Sequence, residues 1–149
     1  MTHRLTLRVY YEDTDLAGIV YYANYLKFIE RARSEWVRGI GIDQLRLKAE
    51  TGTVFAVRRV EADYLSPARF DDLLMVETDL LRLTPARLVL DQAVLRGGTR
   101  LFEARVTLAA LGPGGRPVRL PAEFRRSLET GPAGPRADAD VLAIPLKTR

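Results

Sequence analysis

From Leu5 to Glu12 apolar and polar residues alternate, with Leu5, Leu7 and Val9 on one side, the period-two signature of a half-buried strand. The polar stretch Asp13-Thr14-Asp15-Leu16-Ala17-Gly18 interrupts it and reads as a turn. The period then changes. Tyr25, Phe28, Ile29, Ala32 and Trp36 fall at i, i+3, i+4, i+7 and i+11, one face of a 3.6-residue helix predicted over about Val20 to Arg38. Lys27, Glu30, Arg31, Ser34 and Arg38 occupy most of the opposite side. Gly39 and Gly41 supply the left-handed conformation that ends helices, and a short second helix is expected from about Asp43 to Glu50, stopping at Gly52.

The next sixty or so residues read as four strands. Val54 to Tyr64 places Ala56, Val60, Ala62 and Tyr64 on one face, interrupted by Arg58. Leu74, Val76, Thr78 and Leu80 form a second run, Leu88, Leu90, Gln92 and Val94 a third, and Phe102 to Ala110 a fourth. Ser66-Pro67, Thr84-Pro85, Gly97-Gly98 and the Gly112-Pro113-Gly114-Gly115 stretch separate or bound them. A single long helix with one broad apolar face must bury it, and the sheet offers the only surface of sufficient size. The expected class is α+β: a curved five-stranded antiparallel sheet wrapped around one central helix. Its edges stay open, and pairing with a second copy covers one, so a homodimer or homotetramer is expected. A short helix from about Ala122 to Glu129 closes a domain of residues 1–130. Residues 131–149 read as a flexible extension, with Val141 to Leu146 as an apolar stretch able to dock or fray.

Composition narrows the chemistry. With 149 residues, 47% hydrophobic and 28% charged, the chain suits one globular domain. No apolar run approaches the roughly 20 residues of a bilayer span, so no stable membrane insertion is expected. No secretory signal opens the chain, which makes the cytoplasm the default location. Cysteine is absent and His3 is the one histidine. Thiolate chemistry, a Ser-His-Asp arrangement and a zinc site are all disfavoured, and no metal is expected. The net charge of +4 favours anionic partners, but the arginines are scattered. That suits a phosphate-bearing small molecule better than nucleic acid.

The candidate site is the segment from Tyr10 to Trp36. Asp13 and Asp15 precede a glycine turn and a helix start. The first turn of a helix carries unpaired N–H groups and partial positive charge. Aimed at a carbonyl oxygen, these stabilise an oxyanion, while a nearby carboxylate attacks the carbonyl or takes a proton from water. Gly18 lets the backbone turn sharply between the two. The same residues also fit an ordinary Asx-turn or helix cap. A calcium loop fails at Ala17 and Asn24, where further oxygen ligands are needed.

The string Asp13-Thr14-Asp15-Leu16-Ala17-Gly18-Ile19-Val20-Tyr21-Tyr22-Ala23-Asn24-Tyr25, followed by an aromatic helix, resembles the 4-hydroxybenzoyl-CoA thioesterase family of hotdog proteins. It looks closest to the YbgC branch, bacterial acyl-CoA thioesterases linked to the Tol–Pal system. The runs Phe28 to Arg33 and Phe55 to Leu74 support it, and the likeness covers about residues 5–128. The resemblance implies a hotdog fold and hydrolysis of an acyl-CoA, with Asp15 as nucleophile or general base. It implies that the backbone N–H of Tyr22 polarises the thioester carbonyl, and that Asp13 shapes the loop. Gly18, Ile19, Val20, Tyr25 and Arg58 complete the candidate substrate-binding set. No cofactor is implied, because coenzyme A arrives with the substrate. One departure stands out: the YbgC branch usually carries histidine where this chain has Tyr22, which leaves acyl preference open. A hydratase of this fold would need a histidine in the site. The non-catalytic alternative is a hotdog module that binds acyl-CoA or acyl carrier protein. Arg58 reads equally as a contact for coenzyme A phosphates or the acyl tunnel and as half of an ion pair. Arg69 reads as pairing with Asp63, Asp71 or Asp72, and Glu30 with Arg33 along the helix.

Overall fold

The computed structural model describes residues 2–130. Five strands, β1 (His3–Arg8), β2 (Val54–Tyr64), β3 (Leu73–Leu83), β4 (Arg87–Arg96) and β5 (Thr99–Leu111), form one antiparallel sheet. Its order is β1-β3-β4-β5-β2, which leaves β1 and β2 at the two edges. The long helix α1 (Asn24–Gly39) packs on one face, followed by α2 (Gln44–Thr51) and closed by α3 (Ala122–Thr130). This is the expected hotdog arrangement of sheet and helix. The expected apolar stripe of Tyr25, Phe28, Ile29, Ala32 and Trp36 is buried, against Leu74, Val76, Leu88, Leu90, Val94, Phe102, Ala104 and Val106 of the sheet. Residues 131–149, expected as a flexible extension, lie outside the described residues.

Three boundaries differ from the sequence reading, each for a local reason. The first strand stops at Arg8 rather than Glu12, because Tyr11–Asp13 wind into a 3-10 turn closed by Asp13 N–H to Tyr10 C=O at 3.0 Å. Helix α1 begins at Asn24 rather than Val20. Val20 donates instead to Ala68 C=O at 2.8 Å, and Tyr21 to Asp13 C=O at 2.8 Å, so both are held as extended chain. In β2 the alternation expected through Ala56, Val60, Ala62 and Tyr64 breaks at a bulge between Val57 and Arg59, with Arg58 the additional residue. The face that meets α1 is therefore Phe55, Val57, Val60, Ala62 and Tyr64, paired with Ala110, Leu108, Val106, Ala104 and Phe102. Ala56 belongs to the other side.

Gln92 and Thr78 sit opposite one another on the apolar face and are fully buried, 2% and 0% exposed. Each is satisfied: Gln92 donates to Ile29 C=O in α1 and to Thr78 Oγ1, both at 2.9 Å, and accepts from Arg33 at 3.0 Å. Buried amides require such partners. This overturns the expected Glu30–Arg33 pairing, since Arg33 turns inward to Gln92 and Glu30 accepts from the Ser34 hydroxyl at 3.2 Å. No described helix is long and apolar enough to cross a membrane.

Candidate active site

The two aspartates have different environments although two positions separate them. Asp13 is 7% exposed, and its Oδ2 accepts from Tyr10 N–H at 2.8 Å. Its carbonyl accepts from Tyr21 N–H at 2.8 Å and from the Asn24 side chain at 2.9 Å. Asp13 therefore fastens the start of α1 to the preceding loop. Asp15 is exposed at the head of a tight loop. Its N–H donates to Ile19 C=O at 2.9 Å and its carbonyl accepts from Gly18 N–H at 3.0 Å. Gly18 makes that closure at a φ of +79°, the left-handed region where a side chain is strained. Oδ1 of Asp15 accepts from Ala17 N–H at 2.9 Å, and its other oxygen has no donor among the described residues. The Asx-turn is real, and it occupies half of the carboxylate.

Beside this loop the chain enters α1 through a turn at Tyr22 and Ala23. The N–H groups of both residues meet no acceptor among the described residues. Tyr22 is placed from behind by the Tyr64 hydroxyl, which donates to its carbonyl at 3.0 Å. Tyr21 and Tyr22 lie with ring centroids 4.9 Å apart. A hydrogen bond with Tyr22, followed by the charge of Tyr22, burial and the charge of Asp15, pushes the Tyr21 phenol up. The charge of Asp15 thus reaches the Tyr21 phenol.

The remaining candidates fall into two groups. Gly18 is exposed and Ile19 half-buried on the loop, where Ile19 bridges to Arg69. Val20 and Tyr25 are core: each is 3% exposed. Tyr25 stacks on Phe102 at 5.0 Å and its hydroxyl accepts from Ala68 N–H at 2.9 Å. Burial, ahead of every other influence, raises the Tyr25 phenol above its ordinary value. Arg58 is exposed at the bulge on the sheet edge, with no carboxylate within ion-pair distance among the described residues. Arg69 meets Asp72 through its main-chain N–H at 2.8 Å, while the ion pair of Asp72 is with Arg96, also at 2.8 Å. Sequence reasoning passed over Asn24 and Tyr64 as positioning residues. For Tyr64 no local signal existed, since its partner lies 42 residues away. Among the described residues no group of three or more His, Cys, Asp or Glu side chains is placed to hold a metal ion.

Known proteins resemble this chain in sequence and in fold. Residues 17–103 match the thioesterase superfamily. The acyl-CoA thioesterase YbgC of Haemophilus influenzae is 41% identical over 120 residues, spanning 80% of this chain and 88% of that protein. The 1,4-dihydroxy-2-naphthoyl-CoA hydrolase of Thermosynechococcus vestitus is 31% identical over 98 residues, 65% of this chain and 67% of the relative. A probable thioesterase from Bartonella henselae superposes with a TM-score of 0.78 at 39% identity, covering 81% of this chain and all of that one (100%). The chain belongs to the thioesterase superfamily, in its YbgC branch.

Proposed function

We propose that this chain hydrolyses acyl-CoA thioesters, with Asp15 as nucleophile or general base and the Tyr22 N–H as oxyanion donor. What supports the reading is a half-committed, exposed carboxylate in the loop that leads through Ile19, Val20 and Tyr21 into a turn of open amides at the start of α1. The thioester carbonyl oxygen takes the Tyr22 N–H, where negative charge develops in the tetrahedral state. As general base, Asp15 removes a proton from water. The resulting hydroxide adds to the carbonyl carbon, the C–S bond breaks, and the proton returns to the coenzyme A thiolate. As nucleophile, its carboxylate oxygen adds instead, coenzyme A leaves, and water hydrolyses the resulting anhydride. Either route consumes one water and needs no further cofactor. Arg58, exposed at the sheet edge, offers a cation to the coenzyme A phosphates.

The working unit of this proposal is a homodimer paired through β2. That edge strand presents Val57 at 49%, Val60 at 39% and Tyr64 at 49% exposure on the side facing α1, an apolar strip next to the site. Thiol release from a panel of acyl-CoAs, followed with a thiol-reactive dye, tests the reaction. The native protein is expected to release coenzyme A, and Asp15→Ala to lose at least about a hundredfold in kcat, the scale of one catalytic group. Equal rates for both would remove Asp15 from the mechanism. Binding without release would make the chain an acyl-CoA binding module.

A further inference from the structure

A cavity of about 170 Å³ opens between α1 and β2. Val37, Phe55, Val57 and Leu108 give it apolar walls, and Arg33 of α1 lines it as well. Arg33 is the anomaly. Its guanidinium is half-buried and carries five N–H donors, yet only one bond is made among the described residues, to Gln92 at 3.0 Å. No carboxylate lies within ion-pair distance of it among the described residues. Burial draws its pKa below the ordinary value, with the charge of Glu30 acting in the opposite direction. Glu30 is exposed at the cavity mouth and takes its hydrogen bond from Ser34. Arg33 thus keeps donors to spare for an anion brought by a ligand, with the Glu30 carboxylate at the mouth as the competitor for it.

Two walls of the cavity share a strand face with the residue that touches the proposed reaction centre. Tyr64 of β2 touches the Tyr22 carbonyl, and from there Val60, Val57 and Phe55 follow along the same face of the strand. Ten residues of helix separate the α1 entrance from Arg33, about 15 Å at the helical rise. Side chains of a helix lean toward its N-terminus, which shortens the span. We infer that this cavity receives the far end of the acyl group and that Arg33 selects acyl chains ending in a carboxylate. The inference rests on the thioesterase reading above and specifies its substrate class: coenzyme A thioesters of dicarboxylic acids.

The test compares hexanedioyl-, octanedioyl- and decanedioyl-CoA with their unsubstituted acyl counterparts, by thiol release from the full chain. At the length that fits, the diacid thioester is expected to exceed its counterpart about tenfold in kcat/KM, the effect of one charge-assisted hydrogen bond. In Arg33→Met that ratio falls to about one, and Arg33→Lys recovers part of it. The ratio is internal to each preparation, so a loss of folded protein cancels. Should Arg33→Met fail to fold, Ser34→Asp at the cavity rim adds a competing carboxylate and lowers the ratio in the same direction. A native ratio near or below one at every length overturns the inference. If no thioester is cleaved at all, calorimetric titration separates the two readings. Tighter, Arg33-dependent binding of octanedioyl-CoA over octanoyl-CoA keeps the compartment and removes hydrolysis; equal affinities remove the compartment.

Discussion

Two aspartates of identical chemistry are given different surroundings by their hydrogen bonds. Asp13→Ala would leave the Tyr10 N–H without its acceptor and loosen the loop, an expected loss of about 1–3 kcal/mol. Thermal unfolding should show that as a fall of several degrees. Asp15→Asn should behave differently, keeping stability within about 0.5 kcal/mol of native, because the position is exposed, while turnover collapses. Both variants are checked by one melt and one thiol-release assay. His3 provides a pH prediction. Burial lowers its pKa below 6.5, opposed by Glu35. The unfolded chain therefore binds that proton more readily, and stability should decline as pH falls through about 6.5 toward the folded value. His3→Gln should flatten the melting temperature between pH 7.5 and 5.5. At this scale the sequence was partly transparent. The spacing of Asp13 and Asp15 marked a candidate segment, but the 3-10 turn that hands Tyr10 N–H to Asp13 has no periodic signature. Nor does spacing reveal that half of Asp15 is engaged by Ala17.

Elements were legible where one period runs unbroken. The α1 stripe was readable because five side chains, four of them large, keep a strict helical spacing, and α2 because Asp43 and Gly52 flank it. Asp43 accepts from Arg46 N–H at 3.1 Å as the N-cap, and Asp43→Ala should cost about 1 kcal/mol with thiol release unchanged. The α1 start was misplaced because apolar Val20 and Tyr21 satisfy a helix pattern as well as the extended pairing that claims their N–H groups. The inner face of β2 was misread because a period of two cannot survive an inserted residue. Deleting Arg58 tests that account. With Arg58 removed, Val57 and Arg59 would follow one another opposite Leu108 and Thr107 in an unbroken ladder that keeps Phe55 and Val57 inward, and stability should stay within about 0.5 kcal/mol of native. Denaturant unfolding would check this; a loss of several kcal/mol would mean that Arg58 is not the additional residue. Arg33 escaped the sequence reading for a related reason, since its partner Gln92 is 59 residues away.

For the whole molecule, the placement of the site beside β2 makes association part of the proposed mechanism. Val60→Lys puts a charge in the apolar strip and should shift the chain toward monomer, with a parallel fall in turnover. Sedimentation and the thiol assay on the same samples would show both, and full activity in a monomer would uncouple site from pairing. The sheet could be foreseen to have exposed borders, but which of them is adhesive depends on strand order, a long-range property. The borders are unequal. On one side stand six residues studded with Arg4 and Arg8, each tied to an acid of β3 or of the loop before it; on the other run eleven residues with Val57 and Val60 on the face toward α1 and Arg58 and Arg59 between them. A sheet sticky on both sides would add copies without limit into a filament. In the proposed pairing through β2 like meets like across a two-fold axis, and growth of the sheet ends after a single union.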